Sequence, residues 1–595
     1  MKDHSHHHSS RGDINRKKWR MNALFFAVFL VAATLSGELF FLQIVRGEEF
    51  RDKAAGQYRS LAEVFDRGTI YFTEKNGAAV PAAALSEGYL AAIHPEKMDD
   101  PEKTFSALSG VFADPLDGAD AFDLDKESFL EKAARKDDPY EEIARRISPE
   151  KKDRISRLEL PGVGFFRERW RNYPIGSLGS HAIGFTGYDE SGRIISGRYG
   201  IERYYDDILN KNSGRAKQNI FAEIFSGLEE AVSSGGNFHG DVALSLEPQV
   251  QGFLEKSLAT VQKKWQSKLT GGIVLDPKTG AVYALAAVPD FDPNDISKEK
   301  DMSVFNNPLV EGVFEMGSVV KPLVMAAAID AGKINSQTAY DDETGSVVVD
   351  GARIFNFDGR GRGKNIPMQE VLNQSLNTGM VFVMQKMGRD LFREYMKGYG
   401  LGEETGIDLP NEAHGLVGNL DSPRTVEYAT ASFGQGIAVT PIALTRALAS
   451  LGNGGILPEP HLLKEIRYGA GLTKGFVGNG EPKRVLKPET TEEITRMLVQ
   501  VVDTALLGGA AKIPHYSVAA KTGTAQIARE NGKGYYDDRY LHSFFGYFPA
   551  YDPRFIVFLF TVEPVGEKYA SHTLTEPFMD LAKFLLAYYE IPPDR

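Results

Sequence analysis

Gly272-Ile-Val-Leu-Asp-Pro-Lys-Thr-Gly-Ala-Val-Tyr-Ala-Leu-Ala-Ala-Val288 decides the fold class of this chain. Two apolar runs surround the turn-forming residues 276–280, so the stretch predicts an antiparallel β-hairpin. Further strands are predicted at 241–246, 517–526, 543–548 and 554–562. Helices are predicted at 249–265, 319–331, 367–387, 441–453, 490–506 and 577–588. Strands at both ends of this region, with most of the helices between them, predict an α+β domain with a central antiparallel sheet flanked by helices.

Length and composition exclude several classes of protein. The chain has 595 residues, which is too long for one compact domain. Its net charge of −12 disfavours nucleic-acid binding, which depends on Lys and Arg neutralising phosphates. It contains no Cys, which excludes disulfide scaffolds, thiol nucleophiles, iron–sulfur clusters and Cys-based zinc sites.

An apolar segment near the N-terminus predicts a membrane anchor. Residues 23–45 would span about 34 Å as a helix, enough to cross a bilayer with some tilt. Arg16, Lys17, Lys18 and Arg20 precede this segment, which places residues 1–22 in the cytoplasm and the remainder of a single-pass protein outside. A cleaved signal peptide is the alternative, but the apolar run is longer than usual and has no small-x-small cleavage site after it.

The remaining chain is predicted to form two regions. Residues 46–239 are irregular, with short charged stretches at 127–136 and 140–146 that predict helices. A turn-rich run at 233–240 marks the boundary, and residues 240–595 form the α+β domain.

Three short motifs in the second region carry the candidate chemistry. Ser318 and Lys321 stand three residues apart at a predicted helix start, so both side chains lie on one face. A serine hydroxyl needs a neighbouring base to become a nucleophile, and a lysine is such a base when burial and a nearby positive charge lower its pKa. Ser375-Leu-Asn377 offers a proton relay and a side-chain amide. Lys521-Thr-Gly-Thr524, on a predicted strand, offers a fixed positive charge, two hydroxyls and a glycine that permits close approach.

Each motif alone is weak evidence, because two of them occur elsewhere in the chain. Ser148–Lys151 and Ser297–Lys300 also fit Ser-x-x-Lys, but both lie in polar stretches that predict solvated surface. Lys278-Thr-Gly280 repeats the third motif, but it occupies the tip of the predicted hairpin. The ordered set of three motifs, spaced by 57 and then by 146 residues, is far more specific.

This ordered set resembles the signature of penicillin-binding proteins and the related β-lactamases. The resemblance extends over nearly the whole chain from residue 23, through Arg67-Gly-Thr-Ile70, Gly200-Ile-Glu-Arg203 and Phe433-Gly-Gln-Gly-Ile437 among other segments. It is a resemblance to the class B proteins, and the form of the last segment favours the division type over the elongation type. Residues 71–77 depart from the family's usual Asp-Arg-Asn-Gly, and residues 78–110 are divergent.

The resemblance implies an N-terminal transmembrane helix, an irregular pedestal (dimerisation-like) domain and a penicillin-binding transpeptidase domain. It implies that Ser318 is the nucleophile, Lys321 its base and Ser375 the proton relay. Asn377 would bind a stem-peptide amide, and Lys521, Thr522 and Thr524 the terminal carboxylate. Gly523 would permit close approach, and the backbone N–H groups of Ser318 and Thr524 would form the oxyanion hole.

The implied function is peptidoglycan DD-transpeptidation from the outer face of the cytoplasmic membrane, with β-lactams as inhibitors. No metal or other cofactor is implied, and the implied partner is a SEDS-family glycan polymerase together with other division or elongation proteins. Two alternatives stay open at this point. One is a DD-carboxypeptidase or β-lactamase-like hydrolase, and the other is a noncatalytic β-lactam sensor or scaffold.

Overall fold

The computed structural model describes residues 66–114, 122–188, 195–211, 239–468, 471–478, 480–530, 532 and 534–595. These residues belong to two compact units. The smaller unit contains residues 87–170, and the larger contains 66–86 together with 171–595. The predicted membrane segment at 23–45 lies outside the described residues, and none of the described helices is long and apolar enough to cross a bilayer.

Twenty strands are described, numbered here in chain order. They are β1 (Ile70–Thr73), β2 (Ala79–Ile93), β3 (Glu141–Ile147), β4 (Val163–Asn172), β5 (Thr186–Tyr188), β6 (Ile195–Gly197), β7 (Gly240–Leu244), β8 (Leu269–Leu275), β9 (Val282–Val288), β10 (Ala339–Asp342), β11 (Ser346–Val349), β12 (Ala352–Phe355), β13 (Gly363–Pro367), β14 (Ile456–Leu457), β15 (Leu463–Tyr468), β16 (Thr473–Gly475), β17 (Lys483–Arg484), β18 (Ala519–Ala528), β19 (Tyr535–Phe548) and β20 (Phe555–Val562).

The described α-helices are numbered in the same way. They are α1 (Pro101–Phe112), α2 (Lys126–Ala134), α3 (Pro149–Ser156), α4 (Ser180–Ile183), α5 (Gly200–Tyr204), α6 (Asp206–Leu209), α7 (Pro248–Trp265), α8 (Lys321–Asp330), α9 (Met368–Asn373), α10 (Asn377–Met387), α11 (Arg389–Gly398), α12 (Thr425–Ala431), α13 (Pro441–Ala449), α14 (Pro488–Gln500), α15 (Ala570–Thr573) and α16 (Thr575–Tyr588).

A five-stranded antiparallel sheet organises the larger unit. Its strand order is β18-β19-β20-β8-β9, so the first strands of this region close the sheet with the last ones. The hairpin predicted at 272–288 is β8 and β9, which pair from Thr270 opposite Val288 to Leu275 opposite Val282. The α+β class and the central antiparallel sheet are therefore confirmed. Strand β18 is the edge strand, so one side of its backbone faces away from the sheet.

Helices cover both faces of this sheet. Val274, Leu559 and Phe544 point to one face and pack against α7 and α16. Ile273, Phe558 and Phe545 point to the other face, where they join the core that contains α8. The first eight residues of α8 are all buried, as expected for a helix that is apolar on every side. Lys321 is the one charged residue type among these eight residues, and it is buried with the others.

One predicted helix is broken in the structure. The sequence pattern predicts a continuous helix over 367–387, whereas α9 ends at Asn373 and α10 begins at Asn377. Between them Ser375 has a φ of 55°, in the left-handed region that L-residues rarely adopt. The prediction missed this break because the apolar periodicity on its two sides is that of one helix.

The smaller unit packs α1, α2 and α3 against strands β2 and β3 through a separate apolar core. Residues 140–146 were predicted to be helical, and that prediction is wrong, because Glu141–Ile147 form a strand. Ile147 pairs with Tyr89 and Glu141 with Ile93 of β2. Pairing with a neighbouring strand and burial of one face outweigh the favourable helix propensity of Glu, Ala and Arg.

A buried ion cluster in the larger unit joins residues that are far apart in sequence. Glu202 is fully buried and accepts hydrogen bonds from Arg67 Nε and from Arg171 Nε, both at 2.6 Å. The guanidinium of Arg67 also contacts Asp206 at 2.6 Å. The two cations hold the pKa of Glu202 below its usual range despite its burial. The cluster therefore joins the segment before β1 to β4 and α5 through charges that compensate each other.

We predict that Glu202→Gln lowers the free energy of unfolding by about 3–5 kcal/mol, because it leaves two buried guanidinium groups without their carboxylate. Urea unfolding of the full chain, followed by fluorescence, measures the change. Glu590→Gln is the matched control, because Glu590 pairs with Lys75 at 3.3 Å in an exposed position and should contribute about 0–1 kcal/mol. Equal losses in the two variants would contradict a structural role for the buried cluster.

Candidate active site

Ser318 lies in a single 3₁₀ turn, Gly317–Val320, that leads directly into α8. Gly317 has a φ of 64°, and a Cβ there would lie 2.7 Å from the carbonyl oxygen of Thr524. Only glycine fits, because both the backbone conformation and the space exclude a side chain. Ser318 itself is half-buried and faces an open cleft, whereas Lys321 at the start of α8 is fully buried.

Strand β18 is held against this turn by a second close approach. A Cβ on Gly523 would lie 2.3 Å from Ser543 Oγ and 2.7 Å from the carbonyl oxygen of Met316. Ser543 Oγ donates a hydrogen bond of 2.7 Å to that same carbonyl. The glycine of the third motif therefore lets the edge strand come within backbone contact of the turn that bears Ser318.

The amine of Lys321 connects the first two motifs. Its Nζ lies 2.5 Å from the carbonyl oxygen of Ser375, 2.9 Å from Asn377 Oδ1 and 3.2 Å from Ser375 Oγ. Burial lowers the pKa of Lys321 well below its usual value, and the nearby charge of Lys521 lowers it further. The amine donates to all three oxygens, so it is held in place against Ser375 and Asn377. Burial and the charge of Lys521 both act to favour its neutral form, which is the form that can accept a proton.

Lys521 is the second buried cation of the site. Its side chain is 3% exposed, and burial lowers its pKa to about 8. Its Nζ donates a hydrogen bond of 3.1 Å to the carbonyl oxygen of Thr522. At neutral pH Lys521 is therefore mostly charged, and its charge helps to lower the pKa of Lys321. Two buried lysines with lowered pKa values in one cleft are typical of a functional site.

Asn377 and the Ser375 loop are fixed by a buried polar network. Asn377 Nδ2 donates to the carbonyl oxygen of Phe355 at 2.9 Å. Next to it, Thr378 Oγ1 lies within 3.1 Å of Asp342 Oδ1 and 3.0 Å of Asn356 Oδ1. These groups are buried and satisfy each other's hydrogen bonds, so they hold the left-handed Ser375 in place despite its strain.

The three motifs open onto one cleft of about 710 Å³. Six of the eight residues predicted from the sequence line it, namely Ser318, Ser375, Asn377, Lys521, Thr522 and Thr524. Lys321 and Gly523 lie behind its wall, where they contact Ser375 and Met316 respectively. The structure therefore brings all eight predicted residues together.

The sequence did not predict the other walls of this cleft. They include Arg353, Phe355, Phe357, Gln526, Tyr540, Lys568 and Tyr569. Gln526 could have been found, since alternation along the strand places it on the face of Thr522 and Thr524. Arg353 and Lys568 stand in segments without a motif, so only the tertiary structure reveals them.

Comparison with known proteins identifies the family. The description "Penicillin binding protein transpeptidase domain" matches residues 270–583, and "Penicillin-binding Protein dimerisation domain" matches residues 64–223. The chain belongs to the penicillin-binding protein family. The class B resemblance stated from the motifs is thereby confirmed, and so is the two-domain architecture of dimerisation and transpeptidase domains.

Similar proteins cover most of this penicillin-binding protein. It is 32% identical to "Stage V sporulation protein D" of Bacillus subtilis over 93% of this chain and 82% of the relative. It is 28% identical to "Peptidoglycan D,D-transpeptidase FtsI" of Escherichia coli, over 76% of this chain and 73% of that one. Among solved structures, penicillin-binding protein 3 of Mycobacterium tuberculosis in complex with aztreonam is 26% identical, with a TM-score of 0.63 over 72% of this chain and 92% of the other.

The duplicate motifs lie away from the cleft. Ser297 is exposed and donates to Asp295 at 2.7 Å, which confirms it as surface. Lys278 occupies the tip of the β8–β9 hairpin and pairs with Asp552, also as predicted. The prediction for Lys151 is wrong, because this side chain is only 2% exposed. Its ammonium lies over the rings of Phe112 and Phe122, so aromatic faces replace the expected solvent.

Lys521→Ala should reduce the acylation rate constant for benzylpenicillin by at least ~100-fold, because it removes the buried charge beside Lys321 and one of the cations that line the cleft. Stopped-flow or quenched labelling measures this constant. Lys278→Ala provides the matched control in the second Lys-Thr-Gly and should change it less than about 2-fold. Similar losses in the two variants would show that the wrong copy of the motif had been assigned.

The pH dependence of acylation should report on Lys521. The side chain is a cation below its pKa of about 8, so acylation should decline as the pH rises through that value. Lys521→Arg should move this decline to higher pH, because a guanidinium keeps its charge there. A decline near pH 8 that persists unchanged in Lys521→Arg would assign it to another group.

Proposed function

We propose that this penicillin-binding protein is a peptidoglycan DD-transpeptidase that cross-links stem peptides through an acyl-enzyme on Ser318. The observation that carries the proposal is the buried amine of Lys321, whose Nζ is held within 3.2 Å of Ser375 Oγ, directly behind the turn that bears Ser318. The family match and the relatives named D,D-transpeptidase support the same reaction.

In the first step Ser318 Oγ attacks the carbonyl carbon of the D-Ala-D-Ala peptide bond. Its proton passes to the neutral amine of Lys321, and the bond to the terminal D-Ala nitrogen breaks. Ser375, which lies between Lys321 and the cleft, relays the proton to that nitrogen. In the second step an acceptor amine attacks the ester, loses a proton to the same relay and restores the Ser318 hydroxyl.

Negative charge on the attacked carbonyl oxygen requires donors on the cleft side of β18. The backbone N–H of Ser318 stands at the N-terminus of α8, and that of Thr524 belongs to the edge strand that touches this turn. We assign these two groups to the oxyanion hole, where each contributes about 3–4 kcal/mol to the transition state.

The remaining site residues are proposed to hold the donor peptide. Lys521, Thr522 and Thr524 would bind its terminal carboxylate. Thr524 Oγ1 accepts a 3.2 Å hydrogen bond from the Ala570 N–H, so its own O–H stays available as a donor. Asn377 uses one N–H of its amide for Phe355, which leaves the second for a carbonyl of the stem.

A hydrolytic alternative is less well supported. In class A β-lactamases a glutamate activates the water that releases the acyl group. The charged side chains that line the cleft of this protein are all cations, namely Arg353, Lys521 and Lys568. A cleft without a carboxylate to activate water favours an acyl-enzyme that persists until an acceptor amine attacks it. The lowered pKa of Lys321 also argues against a noncatalytic scaffold, which needs no base.

The cellular setting is proposed from the sequence. Residues 1–22 would form a cytoplasmic tail, 23–45 a transmembrane helix, 46–239 the pedestal and 240–595 the transpeptidase domain outside the cytoplasmic membrane. The family has no metal or other cofactor in this reaction, and a SEDS-family polymerase would supply the glycan strands. The relative named FtsI and the segment Phe433–Ile437 favour a role in septal synthesis over lateral synthesis.

Mass spectrometry with benzylpenicillin tests the proposed function. The wild type should gain one penicillin mass on the peptide that contains Ser318 and keep it for minutes or longer. Ser318→Ala should abolish the adduct without unfolding the protein, because the side chain is half-buried and loses a single oxygen. Ser297→Ala is the control in a duplicate motif and should be labelled like the wild type. Labelling that survives in Ser318→Ala would contradict the assignment, and rapid loss of the adduct would favour a hydrolase.

A further inference from the structure

His542 is a buried titratable residue that the proposed reaction does not use. It lies on β19, where it pairs with Thr524 of β18 and with Thr561 of β20, and its side chain has no contact with solvent. Both of its ring nitrogens have a partner. Nε2 lies 3.0 Å from the carbonyl oxygen of Lys568, and Nδ1 lies 2.9 Å from Thr573 Oγ1. A buried imidazole with a partner on each nitrogen is held in one orientation.

The two partners determine which nitrogen carries the proton. A carbonyl oxygen can only accept a hydrogen bond, so Nε2 carries the proton and donates to Lys568. Burial lowers the pKa of His542 to about 4, so at neutral pH the ring is neutral and Nδ1 has a lone pair. The hydroxyl of Thr573 then donates to Nδ1 at 2.9 Å, a shorter contact than the 3.3 Å to the carbonyl oxygen of Ala570. The neutral Nε2–H tautomer therefore satisfies both contacts.

Both partners of His542 belong to the segment that carries one wall of the cleft. Four consecutive residues of this segment line the cleft, namely Lys568, Tyr569, Ala570 and Ser571. Together they form the 568–571 wall. Lys568 begins this wall, and Thr573 lies two residues beyond it, at the end of helix α15. The hydrogen bonds of His542 therefore attach the 568–571 wall to β19 on both sides.

The 568–571 wall in turn contacts Thr524, a residue of the third motif. The N–H of Ala570 donates to Thr524 Oγ1 at 3.2 Å, so the proton of this hydroxyl is available to an acceptor in the cleft that Thr524 lines. The backbone of Thr524 is held separately, by the β18–β19 ladder and by the close approach of Gly317. Loosening the 568–571 wall would therefore release the hydroxyl of Thr524 and leave its backbone N–H in place.

We propose that His542 is a positioning residue, which attaches the 568–571 wall to β19 and thereby orients the Thr524 hydroxyl toward the carboxylate of the donor. The proposal rests on the proposed transpeptidase function, in which Thr524 binds that carboxylate. Within the described part of the chain, His542 is not among the residues that line the cleft, so it acts through the wall and not on the substrate. Glu567 also accepts hydrogen bonds from the N–H groups of Lys568 and Tyr569, but these contacts stay within one segment and do not reach the sheet.

Variants of His542 that keep one hydrogen bond at a time provide the test. Leu can form neither bond, Gln carries an amide nitrogen at about the reach of Nε2, and Asn carries an oxygen at about the reach of Nδ1. Benzylpenicillin is the probe, because its carboxylate stands for that of the donor. Stopped-flow measurements on the full chain over a range of concentrations separate its dissociation constant before acylation from the rate constant of acylation.

We expect His542→Leu to raise the dissociation constant about 3- to 10-fold and to change the rate constant less than about 2-fold, because only the hydroxyl of Thr524 is released. His542→Gln should restore most of the affinity, and His542→Asn should restore less. The reason is that Lys568, the partner of Nε2, belongs to the 568–571 wall itself, whereas Thr573 lies beyond it.

His572→Gln is the matched control on the same helix. The His572 side chain is half-exposed and lies 3.1 Å from Glu567, so its replacement should leave both constants within about 2-fold of the wild type. Thr573→Val is a second variant, which removes the hydroxyl next to Nδ1 and keeps His542. It should raise the dissociation constant about 2- to 3-fold, as in His542→Gln, because both variants lose the same hydrogen bond. If the His542→Leu protein does not fold, Thr573→Val decides the question.

Three outcomes would overturn the proposal. The first is an unchanged dissociation constant in folded His542→Leu and in Thr573→Val, even with a lower melting temperature, because His542 would then have a purely structural role. The second is an equal rise of the dissociation constant in His572→Gln, which would assign the effect to any change in α15. The third is a wild type that benzylpenicillin does not acylate at all, which would contradict the proposed function itself. The first two leave acylation of the wild type intact, so they are distinguishable from the third.

Discussion

The buried amine of Lys321 is the constraint on which the rest of the site depends. An amine without contact with solvent is tolerated only if it is neutral or fully paired, and here it meets Ser375 and Asn377 from a different segment. Burial lowers its pKa, and the charge of Lys521 keeps it low. The environment of this one nitrogen therefore depends on segments that are far apart in sequence.

Bringing the three motifs together requires a rare backbone conformation or a close backbone approach in each of them. Gly317 adopts a positive φ against Thr524, and Gly523 lies against Met316 where a Cβ would collide. Ser375 also takes a left-handed conformation, at a cost of about 1–3 kcal/mol. The network around Asp342 and the five-stranded sheet hold these conformations in place. Glycine is therefore required at these two positions by the close approach of neighbouring backbone, and not only by the chemistry of the site.

The positive charge of the cleft also arises because segments that are distant in sequence come together. Arg353 of β12, Lys521 of β18 and Lys568 all line the cleft, so an acidic chain presents a positive cleft. The charge of Lys521 also contributes to the lowered pKa of Lys321. In the proposed reaction the same charge would attract a peptide that ends in a carboxylate, so binding of the donor and activation of the base would share one electrostatic origin.

The sequence by itself determined the α+β class, the hairpin at 272–288, the positions of most helices and all eight residues that meet at the site. It could do so because strand and helix periodicities are local and because the three ordered motifs are rare together. Only the tertiary structure decided the break at Ser375, the strand at Glu141–Ile147, the burial of Lys151 and the presence of Arg353 and Lys568 in the cleft. In each of these cases the outcome depends on a partner distant in sequence. A neighbouring strand, a pair of aromatic rings or an opposing wall changes what the local pattern alone would favour.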